Sequence, residues 1–374
     1  MKLMYLLTEP FGVGGVQSDM LALSKDLVKE GDVVYVASTP GVMLDELKSR
    51  GAKFVNLDFQ FKGLFGMLKV GFELRKFIKQ EGIEVLAPQS VRSTIASFIC
   101  LRLIPFFYKV EKTNKKIAII TTIHNIHNPM HFKYGGIILN ICSDYVIFES
   151  HYERNRLIAS GLKATKSSVI HSGIDTDKFL PMEPSAELLQ EYGLDKSIHA
   201  IFGIVARLSE EKGHQYLLQA FSKVYKENNA ARLLVVGDGP LLEETKEIAS
   251  KLDLNDSVIF TGLKRNVAEH LSIFDVFVLS STRESFPLAA REAMAAGKAV
   301  IAPRIGGCPE VVDENNTGYL FEAANVDNLA GCMNKIMVDD TFKQFGLNSR
   351  QRVEDLFSRK QWVSGDKAIY LNYL

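Results

Sequence analysis

Short apolar runs alternate with longer amphipathic stretches along the whole chain. In the first half the apolar runs are Lys2–Leu7, Val33–Ala37, Phe54–Leu57, Val85–Ala87, Ile117–Thr122 and Tyr145–Glu149. In the second half they are His199–Val205, Arg232–Val236, Val258–Thr261, Phe274–Leu279, Ala299–Ala302 and Tyr319–Phe321. Short runs rich in β-branched residues are typical of buried parallel strands, and helical patterns fill the gaps between them. The alternation therefore predicts an α/β protein with parallel sheets and right-handed crossovers.

Length and composition set the number of domains and the compartment. A chain of 374 residues is too long for one ordinary core, so we expect two domains. The four cysteines are widely scattered and form no C-x-x-C pair, which is typical of a reduced, cytoplasmic protein. The start MKLMYLLTEPFG predicts a first strand rather than a signal peptide, and no apolar run is long enough to span a bilayer.

The net charge is zero, but basic residues prevail before residue 180 and acidic residues after it. Aromatic residues and lysines are mixed throughout residues 59–116. This mixture predicts contact with an anionic membrane surface. The alternative is that amphipathic helices pack on the sheet and their lysines are solvated. We expect no nucleic-acid partner, because no nucleic-acid motif is present and the second half is acidic.

The most informative stretch is R-E-S-F-P-L-A-A-R-E-A-M-A-A-G-K-A-V-I-A-P, residues 283–303. Glu284 and Glu292 are separated by seven residues. Pro287 favours the first turn of a helix, and Gly297 favours its end. Glu284 then lies in the loop after a strand, and Glu292 about two turns into the following helix. Backbone N–H groups at this helix start, those of Phe286 and Leu288 among them, attract anions. The alternative is a capped amphipathic helix with two solvated acids.

Two further loops follow predicted strands and suit a phosphate group. Arg207 and Lys212 flank a strand-to-helix turn, where arginine grips phosphate bidentately and lysine adds a compact charge. The loop from Gly12 to Gly15 opens the first helix, and glycines there allow a ligand to approach the backbone. Its spacing differs from the dinucleotide fingerprint G-x-G-x-x-G, and a plain tight turn is an equal alternative.

Two patterns raise the question of a metal. His124, His127 and His131 have spacings of three and four, but Asn128-Pro129 interrupts a helix there, so we predict no metal site. Asp175-Thr176-Asp177 spells D-x-D, which we interpret as turn chemistry. We therefore expect no metal and no cofactor. Cationic side chains must then neutralise the charge of a diphosphate ligand.

Together these motifs resemble family 4 of the retaining glycosyltransferases, which have the GT-B fold. The resemblance rests on E-x7-E followed by E-A-M-A-x-G, on R-x4-K-G with Ala206 in place of glycine, and on V-G-D-G-P. It implies two Rossmann-like domains that face an interdomain cleft. The expected acceptor-binding domain is residues 1–175, with a C-terminal helix at about 356–374 crossing back. The expected donor-binding domain is residues 176–355.

The resemblance also implies roles for the motif residues. Arg207 and Lys212 would neutralise the leaving diphosphate, and Glu292 would bind the ribose. Glu284 would bind the transferred sugar together with His124, and the N–H groups of Phe286 and Leu288 would add further contacts. Gly15 would face the diphosphate from the first domain.

The expected activity is metal-independent hexosyl transfer from a nucleotide sugar, with a UDP-sugar favoured, to a glycan or lipid-linked acceptor. Polysaccharide or lipopolysaccharide synthesis at the inner face of the plasma membrane would fit such an acceptor. A nucleotide-sugar epimerase of the same fold and a non-catalytic binding subunit are the alternatives.

Overall fold

The computed structural model describes residues 1–12, 14–61, 63–103, 117–124 and 129–374, and at 64, 129–131 and 339 it describes the backbone alone. This part of the chain divides into two compact units. The first unit contains Met1–Ser172 and Lys360–Leu374, and the second contains Gly173–Arg359.

The first unit is built on a parallel sheet of seven strands in the order β3-β2-β1-β4-β5-β6-β7. The strands are β1 (Lys2–Leu6), β2 (Val33–Ser38), β3 (Lys53–Asn56), β4 (Val85–Pro88), β5 (Ala118–Ile123), β6 (Tyr145–Phe148) and β7 (Ser167–Val169). The helices are α1 (Gly15–Lys29), α2 (Leu44–Ser49), α3 (Gly63–Glu81), α4 (Val91–Phe98), α5 (Pro129–Cys142) and α6 (His151–Ala159). The sequence pattern missed β7, because two of its three residues are serines and the run is not hydrophobic.

The second unit is built on a parallel sheet of six strands in the order β10-β9-β8-β11-β12-β13. The strands are β8 (Ala200–Val205), β9 (Ala231–Val236), β10 (Val258–Gly262), β11 (Val276–Val278), β12 (Ala299–Pro303) and β13 (Gly318–Phe321). The helices are α7 (Ala186–Glu191), α8 (His214–Glu227), α9 (Leu242–Lys251), α10 (Val267–Ser272), α11 (Leu288–Ala295), α12 (Cys308–Val311), α13 (Val326–Ile336) and α14 (Thr341–Leu356).

The last helix, α15 (Arg359–Leu371), adds its apolar face to the first unit. Trp362, Val363 and Tyr370 are buried in the same cluster as Leu3 and Tyr5 of β1. Burial of large aromatic side chains contributes roughly 1.5–3 kcal/mol each, so this contact fixes the end of the chain on the first sheet. Asp366 of the same helix is only 1% exposed, which is unusual for an acid.

The strand predictions agree with the structure to within two residues at most ends, and the predicted class is confirmed: two parallel-sheet, Rossmann-like units. Three sequence predictions lie outside the described part of the chain: residues 104–116 of the basic and aromatic segment, His127, and the side chain of His131. Among the described residues, no helix combines the length and apolarity needed to cross a membrane.

Candidate active site

The candidate site of the second unit lies where its sheet reverses strand order. From β8 the chain proceeds outward through β9 to β10, and it then returns to β11 on the other side of β8. The chain therefore leaves β8 and β11 in opposite directions at the carboxyl edge of the sheet. Open α/β sheets bind their ligands at such a switch point.

An ion pair joins these two loops. Lys212 follows β8, Glu284 follows β11, and Lys212 Nζ donates to Glu284 Oε1 at 2.6 Å. The hydroxyl of Ser281 donates to the same oxygen at 2.7 Å. The Glu284 side chain is 10% exposed and that of Lys212 is 26% exposed, so the lysine is the more accessible partner. Two residues that are 72 positions apart thus form one polar centre.

Two glycines fix the Glu284 loop from both sides. Gly213 has φ 63°, and a Cβ atom there would lie 2.3 Å from the carbonyl oxygen of Ser280. Gly306 has φ 54°, and its Cβ would lie 1.8 Å from the carbonyl oxygen of Glu284. Any larger residue would collide with the backbone and would also be strained at these angles. The loops after β8 and β12 therefore hold the Glu284 backbone in one place.

Helix α11 presents its N-terminus beside this loop. It begins at Leu288, and Pro287 is the residue just before it rather than a residue of the first turn. Glu292 consequently lies in the second turn, nearer the helix start than the sequence predicted. The first amides of a helix have no acceptor within it, so Leu288 offers an N–H group at this end. Gly297 follows the last helical residues with φ 74°, as predicted.

Burial changes the protonation of Glu292. Removal from water raises the pKa of Glu292 to about 7, although Lys178 and Arg291 oppose the shift. Within the described part of the chain, burial and the charges of Lys178 and Arg291 act on this carboxylate, and no side-chain hydrogen bond does. A half-buried carboxyl group of this kind is well suited to the hydroxyl groups of a ligand.

Arg291 is a buried residue of the motif that the sequence analysis missed. It is 2% exposed, and its guanidinium lies 4.1 Å from the ring centre of Phe286. Its N–H groups also approach the carbonyl oxygens of Pro287 and Phe286, each at 3.4 Å. Arg291 therefore orders the chain just before α11. The only sequence signal was its place between two residues of the motif.

Arg207 occupies the remaining loop at this edge. Its side chain is exposed, and the loop is held by hydrogen bonds from Leu208 N to Asp238 O at 3.0 Å and from Leu241 N to Leu208 O at 3.1 Å. The glycine turn after β9 thus packs on the Arg207 loop. An exposed arginine and a half-exposed lysine at one sheet edge provide the positive charge that an anion needs.

The D-x-D sequence forms a turn. Asp175 Oδ1 accepts from the backbone N–H of Lys178 at 3.1 Å, and Asp175 Oδ2 lies 2.8 Å from Arg359 NH1. Both oxygens of Asp175 already have protein partners, in agreement with the interpretation as turn chemistry.

In the first unit, Gly15 is the first residue of α1 and is exposed. A Cβ atom at Gly15 would meet no described atom within 4 Å. His124 directly follows β5 and is buried at 9% exposure. Both residues thus lie at the carboxyl edge of the first sheet, since β1 and β5 are parallel strands of it.

Acids surround His124 in a way that the sequence did not reveal. Nε2 of His124 lies 2.7 Å from Gln89 Oε1, and Nδ1 lies 2.8 Å from Glu149 Oε1 and 3.9 Å from Asp19 Oδ2. Burial lowers the pKa of His124, but Glu149, Asp19 and Asp366 outweigh burial and raise it to about 9. Burial and the charge of Glu149 in turn raise the pKa of Asp366 to about 8.

The two units thus place the predicted residues in two groups. Arg207, Lys212, Glu284, Phe286, Leu288 and Glu292 lie on loops and a helix start of the second unit, and Gly15 and His124 lie at the edge of the first sheet. Two Rossmann-like parallel-sheet units of this kind are the architecture of the GT-B fold.

Two family models match the sequence. The model of "Glycosyltransferase Family 4" covers residues 13–178, and that of "Glycosyl transferases group 1" covers residues 191–353. Together the matches cover most of the chain. This protein belongs to family 4 of the glycosyltransferases, and it has the GT-B fold.

Several characterised proteins are similar to this chain. N-acetyl-alpha-D-glucosaminyl L-malate synthase of Bacillus anthracis is 28% identical, over 82% of this chain and 79% of its own. A GDP-mannose-dependent mannosyltransferase of phosphatidylinositol monomannoside from Mycobacterium tuberculosis is 32% identical over 53% of each chain. UDP-Gal:alpha-D-GlcNAc-diphosphoundecaprenol alpha-1,3-galactosyltransferase of Escherichia coli is 25% identical over 91% of this chain and 89% of its own. Among solved structures, HepE of Anabaena in complex with UDP has a TM-score of 0.83 at 21% identity, with both chains fully covered.

Proposed function

We propose that this chain is a retaining, metal-independent hexosyltransferase that uses a nucleotide sugar, with a UDP-sugar favoured, and a glycan or lipid-linked acceptor. The observation that carries the proposal is the Lys212–Glu284 pair at the switch point of the second sheet. A sugar phosphate needs a cation for its phosphate and a carboxylate for its hydroxyl groups. This pair offers both within 2.6 Å.

When the donor binds, the ion pair between Lys212 and Glu284 opens, and each side chain contacts the donor instead. Lys212 turns to the diphosphate together with Arg207, and both stabilise the negative charge that develops as the diphosphate leaves. Glu284 then accepts hydrogen bonds from hydroxyl groups of the transferred sugar, while Ser281 keeps the carboxylate in place. Because Lys212 is the more exposed partner, its movement requires less rearrangement of the surrounding residues than movement of Glu284 would.

Helix α11 supplies the remaining donor contacts in the proposal. The N–H groups of Phe286 and Leu288 bind sugar and phosphate oxygens, and Pro287 contributes none because it has no N–H. Glu292 binds the two ribose hydroxyls. Its half-buried carboxyl group is one turn deeper than Leu288, as a nucleoside behind the phosphates requires.

Gly15 and His124 contribute from the first unit, Gly15 facing the diphosphate and His124 contacting the transferred sugar. Transfer proceeds on one face of the sugar, with no covalent intermediate. The acceptor oxygen forms the new bond to the anomeric carbon as the bond to the diphosphate breaks, and the departing phosphate oxygen takes the acceptor proton. The anomeric configuration is therefore retained.

The names of the relatives support a nucleotide-sugar donor but differ in its base. The galactosyltransferase of Escherichia coli uses UDP-Gal and a lipid diphosphate acceptor, and the mycobacterial enzyme depends on GDP-mannose. A lipid-linked acceptor in polysaccharide or lipopolysaccharide synthesis fits the first of these, and we propose that role here.

A stripe on α3 supports docking to the cytoplasmic membrane face, where such acceptors are made available. Phe65, Lys69, Phe72 and Lys76 follow one another at intervals of four, three and four residues, so they share one face of the helix. Phe65 is 86% exposed and Phe72 is 40% exposed. Exposed aromatic rings between lysines suit an anionic bilayer, with about 1 kcal/mol of attraction from each lysine.

Sedimentation with vesicles tests this docking. We expect the protein to pellet with phosphatidylglycerol-rich vesicles at low salt and less at high salt. A Lys69→Glu, Lys76→Glu variant should stay in the supernatant. The matched control, Lys29→Glu with Lys48→Glu, changes the same charge on exposed positions of α1 and α2 and should still pellet. Equal binding of the two variants would exclude α3 as the docking surface.

Thermal unfolding with a panel of UDP-, GDP-, ADP- and dTDP-sugars, with and without EDTA, tests the proposed activity. A donor present at a hundred times its dissociation constant adds about 2.7 kcal/mol to stability. A shift that EDTA leaves unchanged supports the metal-free site, and an α-linked product from an α-linked donor supports retention. Binding without donor hydrolysis or transfer would indicate a binding subunit. Release of a 2-epimer would indicate an epimerase.

A further inference from the structure

We propose that Glu149 is a positioning residue for His124, and that its carboxylate, 2.8 Å from Nδ1, holds the ring in the doubly protonated form. The inference deepens the proposed function, since it specifies how the histidine of the first unit can act on a substrate. It concerns a group of residues at the ends of β4, β5 and β6.

The orientation of the Gln89 amide group shows that Nε2 of His124 carries a hydrogen. Gln89 Nε2 donates to the backbone oxygen of Ala87 at 2.9 Å, so the amide nitrogen is engaged elsewhere. Gln89 Oε1 is therefore the atom that faces His124 Nε2 at 2.7 Å. An amide oxygen only accepts, so Nε2 must carry a hydrogen.

Glu149 determines the proton on the other nitrogen. Its Oε1 lies 2.8 Å from Nδ1, and the two side chains are each 9% exposed. Two lone pairs this close in a buried site would repel each other, so a proton must lie between them. Imidazole is the stronger base of the two groups, so this proton belongs to Nδ1, and with the proton on Nε2 the ring is an imidazolium beside a carboxylate.

A bound metal explains the same spacing less well. Asp19, His124 and Glu149 each offer a ligand atom within 4.8 Å of the others. Bonds of about 2.0–2.2 Å in a tetrahedral site would place two ligand atoms roughly 3.3–3.6 Å apart, which is longer than the 2.8 Å between Nδ1 and Oε1. The short separation is that of a close ion pair between the ring and the carboxylate.

The surrounding charges favour the imidazolium. Among the described residues, the acids that act on His124 are Glu149 on the β6 side, Asp19 on α1 and Asp366 on α15. Asp366 is buried, and burial together with the charge of Glu149 raises its pKa to about 8, so it is protonated at neutral pH. The single positive charge of His124 thus offsets one of the two negative charges of Glu149 and Asp19 at neutral pH.

This arrangement limits what His124 can do. With both nitrogens protonated, the ring has no lone pair, so it can neither abstract a proton nor accept a hydrogen bond. Its contribution to transfer is a ring of fixed orientation and protonation at the end of β5. Because Glu149 and Asp19 offset its charge, His124 acts on the transferred sugar through its fixed position rather than as a cation for the leaving group.

Nitrogen NMR of the intact protein labelled with 15N-histidine tests the inference directly. The chain has eight histidines, and a His124→Gln variant identifies the signals of interest. At pH 7.5 we expect both nitrogens of His124 to have the shifts of protonated nitrogens. One protonated and one unprotonated nitrogen in the wild-type protein would overturn the proposal, whether or not the protein transfers a sugar.

Two variants at position 149 separate positioning from folding. In Glu149→Gln, the midpoint of the His124 titration should fall to near its ordinary pH of about 6.5. The transfer rate at pH 8 should fall roughly 10- to 100-fold, the worth of one charged hydrogen bond, with a smaller loss at pH 6. Glu149→Asp keeps the charge and should restore part of the rate. An unchanged titration in Glu149→Gln, or an equal loss of rate at both pH values, would refute the role of Glu149.

Discussion

The buried carboxyl group of Asp366 makes the stability of the first unit sensitive to pH. The native state holds the proton of Asp366 up to about pH 8, because burial and Glu149 raise its pKa. In the unfolded chain an aspartate loses its proton near pH 4. Between these values folding takes up one proton, so this group makes the protein less stable as the pH rises, by about 1.4 kcal/mol per pH unit.

Replacement of Asp366 by asparagine removes this dependence while it keeps the shape of the protonated acid. From pH 6 to pH 8 the wild-type protein loses roughly 2 kcal/mol through Asp366, with the slope levelling off as the native pKa is reached. Asparagine has no proton to release in this range. The free energy of unfolding of Asp366→Asn, relative to wild type, should therefore increase by roughly 2 kcal/mol from pH 6 to pH 8.

Urea unfolding monitored by tryptophan fluorescence measures this difference. Trp362 is the single tryptophan of the chain and lies on α15 one turn before Asp366, so its emission reports on the first unit. The reporter matters because two units can unfold in separate steps. Asp45→Asn, at an exposed position of α2, is the control and should show no change in relative stability with pH. An equal difference between Asp366→Asn and wild type at both pH values would refute the reasoning.

Three further predictions concern the proposed donor site. Glu284→Gln keeps the hydrogen bond from Ser281 but loses the charge that pairs with Lys212. Turnover should therefore fall by roughly a hundredfold or more, while the circular dichroism spectrum and the melting temperature remain close to those of the wild type. Near-normal turnover would remove Glu284 from the mechanism. Arg207→Ala should weaken binding of the nucleoside diphosphate by about 1.5–3 kcal/mol, measured by calorimetry. The control Lys226→Ala, near the C-terminal end of α8, should leave the affinity unchanged. Equal effects of the two substitutions would indicate general charge attraction only. Gly15→Ala should not lower the melting temperature, because alanine suits a helix and the added methyl group meets open space. It should nevertheless weaken binding of the donor. An unaltered affinity would exclude contact between Gly15 and the diphosphate.

The sequence by itself determined the class of fold and most of its elements. Parallel strands buried on both faces must be short and hydrophobic throughout, so runs such as Leu233–Val236 and Val300–Ala302 indicate strands without knowledge of their neighbours. The stretch around Pro287 also indicated a loop followed by a helix, since these depend on local backbone preferences, although the helix begins just after Pro287 rather than at it. The strand β7 was missed for the same reason: Ser167 and Ser168 do not form a hydrophobic run.

Only the tertiary structure decided which charges meet. Lys212 and Glu284 belong to loops that the strand order β8-β11 brings together, and strand order depends on pairing between distant segments. The acids around His124 come from α1, the end of β6 and α15, separated by more than two hundred residues of chain. No local pattern marks Asp366 as buried, because an acid in an amphipathic helix is ordinarily solvated. Its protonation, and that of His124, follow from the loss of water and the proximity of other charges, which exist only once the first sheet and the last helix have packed together.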